Sequence, residues 1–285
     1  MAGRARRTAR IRAAAVTYAN LVPFLFFALF PFYFMFVTSF KSNAELYNLK
    51  AIPFWIQTGA ITDHYTFLFM RTDFLTWIKN SLIVSVVATG VSLAIAILAG
   101  YSLARLRYRG VSSFGTAVFV TYLVPPTLLF LPLSQVVVWL GISDSIWALI
   151  VTYPTFLVPF STWLLMGYFR TVPREIEECA LVDGASRMQT LVRIVLPTAV
   201  PGIVCAALFG FTLCWNEFIY ALTFVSQTAS KTAVVGVTAD LIRGDIYYWG
   251  SLMAGAVLAS LPIVIVYVWF LDYYVSGLTA GAVKG

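Results

Sequence analysis

The sequence predicts an all-α membrane protein with six transmembrane helices and a cytoplasmic helix–turn–helix loop between spans four and five. Three observations carry this. Of 285 residues, 60% are hydrophobic and only 11% charged, against about 25% charged in a soluble globular chain. That is too little polar surface to cover a water-soluble body, and disordered chains show the opposite balance. Apolar runs of about 20 residues, the length that crosses a bilayer, recur six times. Lys and Arg are shared unevenly among the segments that join those runs.

The runs are Tyr18–Phe40, Ser81–Ala104, Ser113–Val138, Ile146–Phe169, Ala199–Val225 and Gly250–Leu271. Five arginines (Arg4, Arg6, Arg7, Arg10, Arg12) precede the first, as in a secretory signal. Its apolar stretch is too long for one, and no Ala-x-Ala-like site follows Phe40, so an anchored helix is expected. With the N-terminus inside, thirteen of the 19 Lys and Arg fall on inner segments. These include Arg105, Arg107 and Arg109 after span two and Arg170, Arg174, Arg187 and Arg193 after span four. Both termini are then cytoplasmic. The expected organisation is a basic N-terminus over 1–16, a membrane domain over 17–272 with its inner loop at 170–198, and a tail over 273–285.

The net charge of +7 is therefore a topology signal. A nucleic-acid surface needs a clustered basic face with stacking aromatics, and none is visible. One His and three Cys without a Cys-x-x-Cys pair leave little for a metal site, and Cys205 and Cys214 read as buried thiols in an apolar run. Two outer segments are long enough for structure. Lys41–Lys79 carries Pro53, Trp55, Tyr65 and Trp77, which suits a piece lying at the interface. Ser226–Trp249 ends in the aromatic belt Tyr247, Tyr248 and Trp249. Each either anchors the chain or meets a ligand.

Proline marks three spans: Pro125, Pro126 and Pro132 in the third, Pro154 and Pro159 in the fourth, Pro262 in the sixth. Each removes a backbone donor, and lipid cannot satisfy the freed carbonyl. Such helices lean on neighbours or line a wet cavity, in a moving bundle or a static one. Ala254, Gly255, Ala256, Ala259 and Ser260 form a small-residue patch that permits close helix contact.

In the loop after span four, Thr171 and Pro173 read as a helix start. Glu175, Glu177 and Glu178 suit the positive end of its dipole. Ile176, Cys179 and Ala180 give an apolar edge, and Gly184 has the chemistry of a helix stop. A second short helix follows, with Met188, Leu191, Val192 and Val195 as its apolar stripe and Pro197 at its end. The bare turn suits docking into a groove on a cytoplasmic partner; two amphipathic arms also suit a pair resting on lipid.

This loop resembles the EAA loop of ABC-importer permeases. Glu178-Cys179-Ala180, Gly184 after three residues and Ile194-x-Leu196-Pro197 after nine more match the pattern E-A-A-x3-G-x9-I-x-L-P, with Cys179 in place of the first Ala. The resemblance implies that Glu178, Ala180, Asp183, Gly184, Ile194, Leu196 and Pro197 couple the chain to an ATP-binding subunit. Trp215-Asn216-Glu217-Phe218 and the terminal Gly277–Gly285 resemble the carbohydrate-importer branch, and more closely the second permease subunit of maltose-type importers. From about Ser39 onward the whole chain shares the likeness. It implies a bacterial inner-membrane protein that works with a second homologous permease, two ATP-binding subunits and an external binding protein. It also implies a tail whose Thr279, Gly281 and Lys284 reach the ATPase.

Glu217 is the one acid inside a predicted span, and an intramembrane charge is costly. With Trp215 and Asn216 it either faces a translocation path or locks helix five against a partner. No G-x4-G-K-[ST] sequence exists, so the chain has no phosphate cradle of its own. ATP and Mg belong to partner subunits, and no cofactor is expected here. The expected cargo is a sugar; the alternative is glycerol phosphate or another small polar solute. A phosphate would want a basic cavity, and no Lys or Arg lies inside a span. An ion-coupled transporter would need several intramembrane ionisable groups or paired repeats. An enzyme would need a nucleophile, base and orienter, and Asp63-His64 in an outer loop supplies no such arrangement.

Overall fold

The computed structural model describes the backbone of residues 2–244 and 246–279, and the side chains of 14–242, 244 and 246–275. It is built almost wholly of helices. A long α1 (Ala2–Ser39) leads to short α2 (Asn43–Leu46) and α3 (Asp63–Arg71), then to α4 (Phe74–Arg105). Next come α5 (Val111–Leu123), α6 (Pro126–Trp139), α7 (Ile146–Thr152) and α8 (Pro154–Phe169). The helices α9 (Arg174–Val182) and α10 (Arg187–Thr190) run through a π turn, Leu191–Val195, into α11 (Leu196–Thr198) and α12 (Val200–Trp215). The chain continues with α13 (Ile219–Phe224), α14 (Ala233–Leu241), a minimal β1–β2 pair (Ile242–Arg243, Ile246–Tyr247), α15 (Trp249–Trp269) and α16 (Leu271–Thr279).

Four segments are long and apolar enough to cross a membrane singly: Ala14–Ser39, Phe74–Arg105, Ile146–Phe169 and Trp249–Trp269. The number rises to six if two bent pairs each count as one span. Those pairs correct the sequence expectation. The third run is two helices, α5 and α6, bent by 94°. Pro125 and Pro126 sit at the junction, and two consecutive residues without N–H groups cannot continue the ladder. The fifth run starts at a 79° bend before α12, and it is divided after Trp215, where α12 stops and α13 follows, rather than running unbroken to Val225. Pro262, by contrast, lies inside an unbroken α15. The expected tail border at residue 273 falls within α16, whose Tyr274 ring lies 5.9 Å from Phe209 of α12.

Backbone contacts divide the chain into two compact units, residues 1–72 with 241–258 and residues 73–240 with 259–285. In the first, Lys41 and Glu45 form a buried ion pair at 3.1 Å. Glu45 also accepts the Gln57 N–H at 3.1 Å, the Thr58 N–H at 3.1 Å and the Thr58 hydroxyl at 2.8 Å. Burial pushes this carboxyl up, but the bonds from Thr58, Gln57 and Lys41 outweigh it and hold the pKa at about 2. His64 of α3 meets the Lys41 carbonyl at 2.9 Å and the Ser251 hydroxyl at 3.3 Å. Gly250 has no side chain because the imidazole occupies the space where its Cβ would stand. The start of the Lys41–Lys79 segment is thus a hydrogen-bonded knot, while Trp55 remains exposed.

The second unit is organised by α4 against α8. Ser81, Ser85, Ala88, Ser92, Ala96 and Gly100 recur at helical spacing on the buried side of α4. Small residues let the backbones close up: a Cβ on Gly100 would lie 3.2 Å from the Met166 nitrogen. At the other end of α4, the Trp77 indole donates to the Thr228 carbonyl at 2.9 Å. Asn80 donates to the carbonyls of Ala229 and Lys231, and the Ser81 hydroxyl accepts the Ala233 N–H. Trp77, expected at the interface, is fully buried, because bare Gly236 leaves room for its ring. One apolar core gathers Val84, Leu149, Tyr153, Leu157 and Phe224. A second gathers Ala96, Tyr101, Leu165, Phe169, Leu191 and Val195, and it is this core that seats the α9–α11 segment.

Candidate functional site

The segment that follows α8 is built by local rules. Pro173 sits at the helix-start position of α9, with Glu175 and Glu177 in the first turn. The helix ends in a complete Schellman pattern: Ala185 N–H donates to the Ala180 carbonyl at 3.0 Å and Gly184 N–H to the Leu181 carbonyl at 3.1 Å. Gly184 takes φ +87, a left-handed conformation that glycine adopts without a Cβ clash, and a Cβ there would meet nothing within 4 Å. Two residues on, Ser186 and Gln189 form a capping box, a Ser-x-x-Gln signal that is readable in the sequence. The turn therefore pairs its amides within the loop and still faces open space.

Which face of α9 is buried differs from the expected apolar edge. Ile176 and Cys179 are exposed, while Glu177 and Ala180 are buried. The reason is Arg105, whose Nε lies 2.6 Å from Glu177 Oε1. Tyr101 donates its hydroxyl to Glu177 Oε2 at 3.1 Å, and Arg105 reaches the Val172 carbonyl at 2.5 Å. Paired charge wins over a short apolar edge because an ion held this way leaves no partner unmet. In the following segment Leu191 and Val195 are buried as expected, worth about 2 kcal/mol each. Met188 and Val192, placed with them by periodicity, are exposed. Here the π turn shifts the register. Pro197 does not end the helix; it lies inside α11, one turn after Arg193, where its missing N–H suits the wider turn. Of the residues singled out by motif, Glu178, Asp183, Gly184 and Pro197 are exposed, Ile194 and Leu196 half-buried, and Ala180 buried.

The structure separates the trio after α12. Trp215 is buried, stacked on Phe211 at 5.6 Å, with its indole donating to the Ala259 carbonyl at 3.1 Å. Asn216 is exposed and bonds its own helix at Thr212. Glu217 is half-buried. Its carboxylate accepts the Tyr220 N–H at 2.8 Å, the Ala221 N–H at 3.0 Å and the Tyr153 hydroxyl at 2.9 Å. It thus caps α13 and ties it to the start of α8. Thr279 is the last described backbone position of α16; Gly281 and Lys284 lie outside the described residues. Sequence placed Arg105 after span two and Glu177 in the first turn of the loop helix without pairing them, and did not single out Tyr101 or Tyr153. The usable signal was Arg105, the first of three arginines closing span two.

Residues 92–279 match the family described as binding-protein-dependent transport system inner membrane component. A crystal structure of a bacterial ABC transporter involved in the import of the acidic polysaccharide alginate shares the fold. Its TM-score is 0.75 at 22% identity, covering 94% of this chain and 98% of that one. The class is therefore a helical permease of the ABC-transporter fold. The chain belongs to the binding-protein-dependent transport family of inner-membrane components. It is 37% identical over 270 residues to the inner membrane ABC transporter permease protein YcjP of Escherichia coli K12, covering 94% of this chain and 95% of that protein. It is 35% identical over 257 residues to the diacetylchitobiose uptake system permease protein DasC of Streptomyces coelicolor, covering 90% and 92%.

Proposed function

We propose that this chain is one permease subunit of an ATP-driven importer for a sugar or sugar-like solute. It pairs with a second homologous permease, two ATP-binding subunits and an extracytoplasmic binding protein. The observation that carries this reading is the self-satisfied, outward-facing turn at Gly184, set in a family of binding-protein-dependent transporters. A sugar cargo is supported by the relative named for diacetylchitobiose uptake and by the absence of Lys or Arg from every predicted span.

In this reading α5 with α6 make one span and α12 with α13 another, giving six, with both termini in the cytoplasm and the loop 170–198 on the same side. The exposed surface of Glu178, Asp183 and Gly184, with the neighbouring side chains of Ile176, Val182 and Met188, docks in a cleft of an ATP-binding subunit. ATP and Mg are held there, and no cofactor is held here. ATP closes the ATPase pair, the loop is carried with it, and the spans rock from an inward-facing to an outward-facing cavity. The work done is the difference in binding energy between the two states. Asn216, exposed beside the α12–α13 break, faces the path, whereas Glu217 and Trp215 shape the break around it. Thr279 at the end of α16, with Gly281 and Lys284 after it, contributes to the ATPase side.

The native thiol of Cys179 is exposed beside Glu178 and supplies a direct test. In the assembled complex it is expected to cross-link to the ATP-binding subunit through a short maleimide–benzophenone reagent, the maleimide adding the thiol and the photoactivated ketone inserting into a neighbouring C–H bond. Failure to cross-link in an assembled, ATP-hydrolysing complex would remove the docking assignment. Screening sugars against the cognate binding protein tests the cargo.

A further inference from the structure

We propose that Arg105, Glu177 and Tyr101 form a joint that fastens α9 to the inner end of α4, so that movement of the loop is passed to span two. Arg105 and Glu177 act as positioning residues. The inference rests on the docking role proposed for the loop.

Three features converge on it. The first is obligation. The side chains of Arg105 and Glu177 are only 5% and 8% exposed, and among the described residues neither Arg105 Nε nor Glu177 Oε1 has any other hydrogen-bond partner. Pulling α9 away from α4 would strand two buried charges, the arrangement that folded chains resist most strongly. The second is that the tie has several strands. Arg105 holds the Val172 carbonyl as well as Glu177, and Tyr101, one turn earlier on α4, holds the second carboxylate oxygen. Arg174 donates back to the Ala104 carbonyl at 3.4 Å. A side chain from each element thus grips the other, which fixes orientation as well as distance.

The third is what lies behind the joint. Immediately before Tyr101, Gly100 brings α4 into backbone contact with α8, with the Thr162 carbonyl, the Leu165 Cβ and the Met166 nitrogen all 3.2–3.3 Å from where a Cβ would stand. Tyr101 also packs edge-on against Phe169 of α8 at 6.3 Å. A displacement delivered to Arg105 cannot be absorbed by α4 sliding over α8, because close-packed backbones have no slack to give. The two helices therefore move together. Glu175 and Glu178 flank the buried acid on the same helix and are exposed. One turn thus presents its outer acids to a partner and keeps Glu177 for the bundle.

The test uses the whole complex in nanodiscs: this chain, its partner permease and the ATP-binding subunits. Amide hydrogen exchange is compared with and without Mg-ATP–vanadate trapping. In the wild type, trapping is expected to change exchange both in α9 and in the last turns of α4. In Glu177→Gln the α9 response should persist while the α4 response falls at least threefold. The charge-reversed pair Arg105→Glu with Glu177→Arg should restore it. An α4 response in Glu177→Gln equal to the wild type would overturn the joint, as would a change in α4 that is the same with and without nucleotide. Should Glu177→Gln fail to assemble, Tyr101→Phe, which keeps the ion pair, is expected to lower the α4 response, and an unaltered response there overturns the proposal. A wild-type α9 that is silent to trapping instead removes the docking reading, and the joint falls with it.

Discussion

Two interruptions of helix, the turn at Gly184 and the break at Asn216–Phe218, look alike in sequence and differ in how they are satisfied. At the first, the amides of Asp183, Gly184, Ala185 and Ser186 are paired by backbone and by the Ser186–Gln189 box, and the protruding side chains are exposed. At the second, the acid that the sequence marks for function is occupied in capping α13 and holding Tyr153. A residue with no internal partner is available to another molecule; a residue whose lone pairs are already taken must be released first. The contrast predicts that changes at the turn lower activity by more than their local strain lowers stability, and changes at the break lower stability first.

The largest expected effect is at Gly184. Gly184→Trp should reduce ATP-driven uptake by more than about tenfold, the equivalent of roughly 1.4 kcal/mol of lost docking. Gly184→Asn, whose side chain tolerates the left-handed region, should fall between wild type and Trp. Uptake assays alongside thermal unfolding of the isolated chain check this, and uptake in Gly184→Trp no lower than in Gly184→Ala, which carries the same backbone strain, would erase the contrast. Next, Glu217→Ala should destabilise the chain by about 2 kcal/mol through loss of charge-assisted bonds, and Glu217→Gln by about half as much. Denaturant unfolding in detergent measures both. Full stability with abolished uptake would instead make Glu217 a path residue.

Smaller still, Ser186→Ala removes one side of the capping box and should cost about 1 kcal/mol locally, seen as faster amide exchange across α10. The smallest effect concerns the loop after α13. Asp144, at φ +58, accepts the Ser226 and Gln227 N–H groups. The bond from Ser226 chiefly holds its carboxyl below the usual 3.8, against a smaller upward push from desolvation. A depressed carboxyl stabilises the fold above its unfolded pKa, and that contribution is lost as pH falls through the folded value. Exchange protection at Ser226 and Gln227 should thus be level above about pH 5 and decline below about pH 4; Asp144→Asn should flatten the profile.

The helical membrane class and the position of most spans were legible because apolar length is a local property. Gly184 was legible for the same reason, since a helix stop announces itself within a few residues. The bend between α5 and α6 was only half legible: Pro125 and Pro126 announce a broken ladder but not its angle, which packing decides. The face of α9 was not legible. Three glutamates stand within four positions, and the one that turns inward is selected by Arg105 and by Tyr101, 76 residues distant along the chain. Trp77 was misplaced for a like reason, because its burial depends on a glycine in another segment.

The double proline between α5 and α6 bears also on how the chain is made. At 13 residues, α5 is about 20 Å long, short of the roughly 30 Å of a hydrocarbon core. Insertion machinery that reads one segment at a time would find in it no stable stopping point. The α5–α6 segment is therefore expected to settle only once α8, against which α5 packs, has arrived.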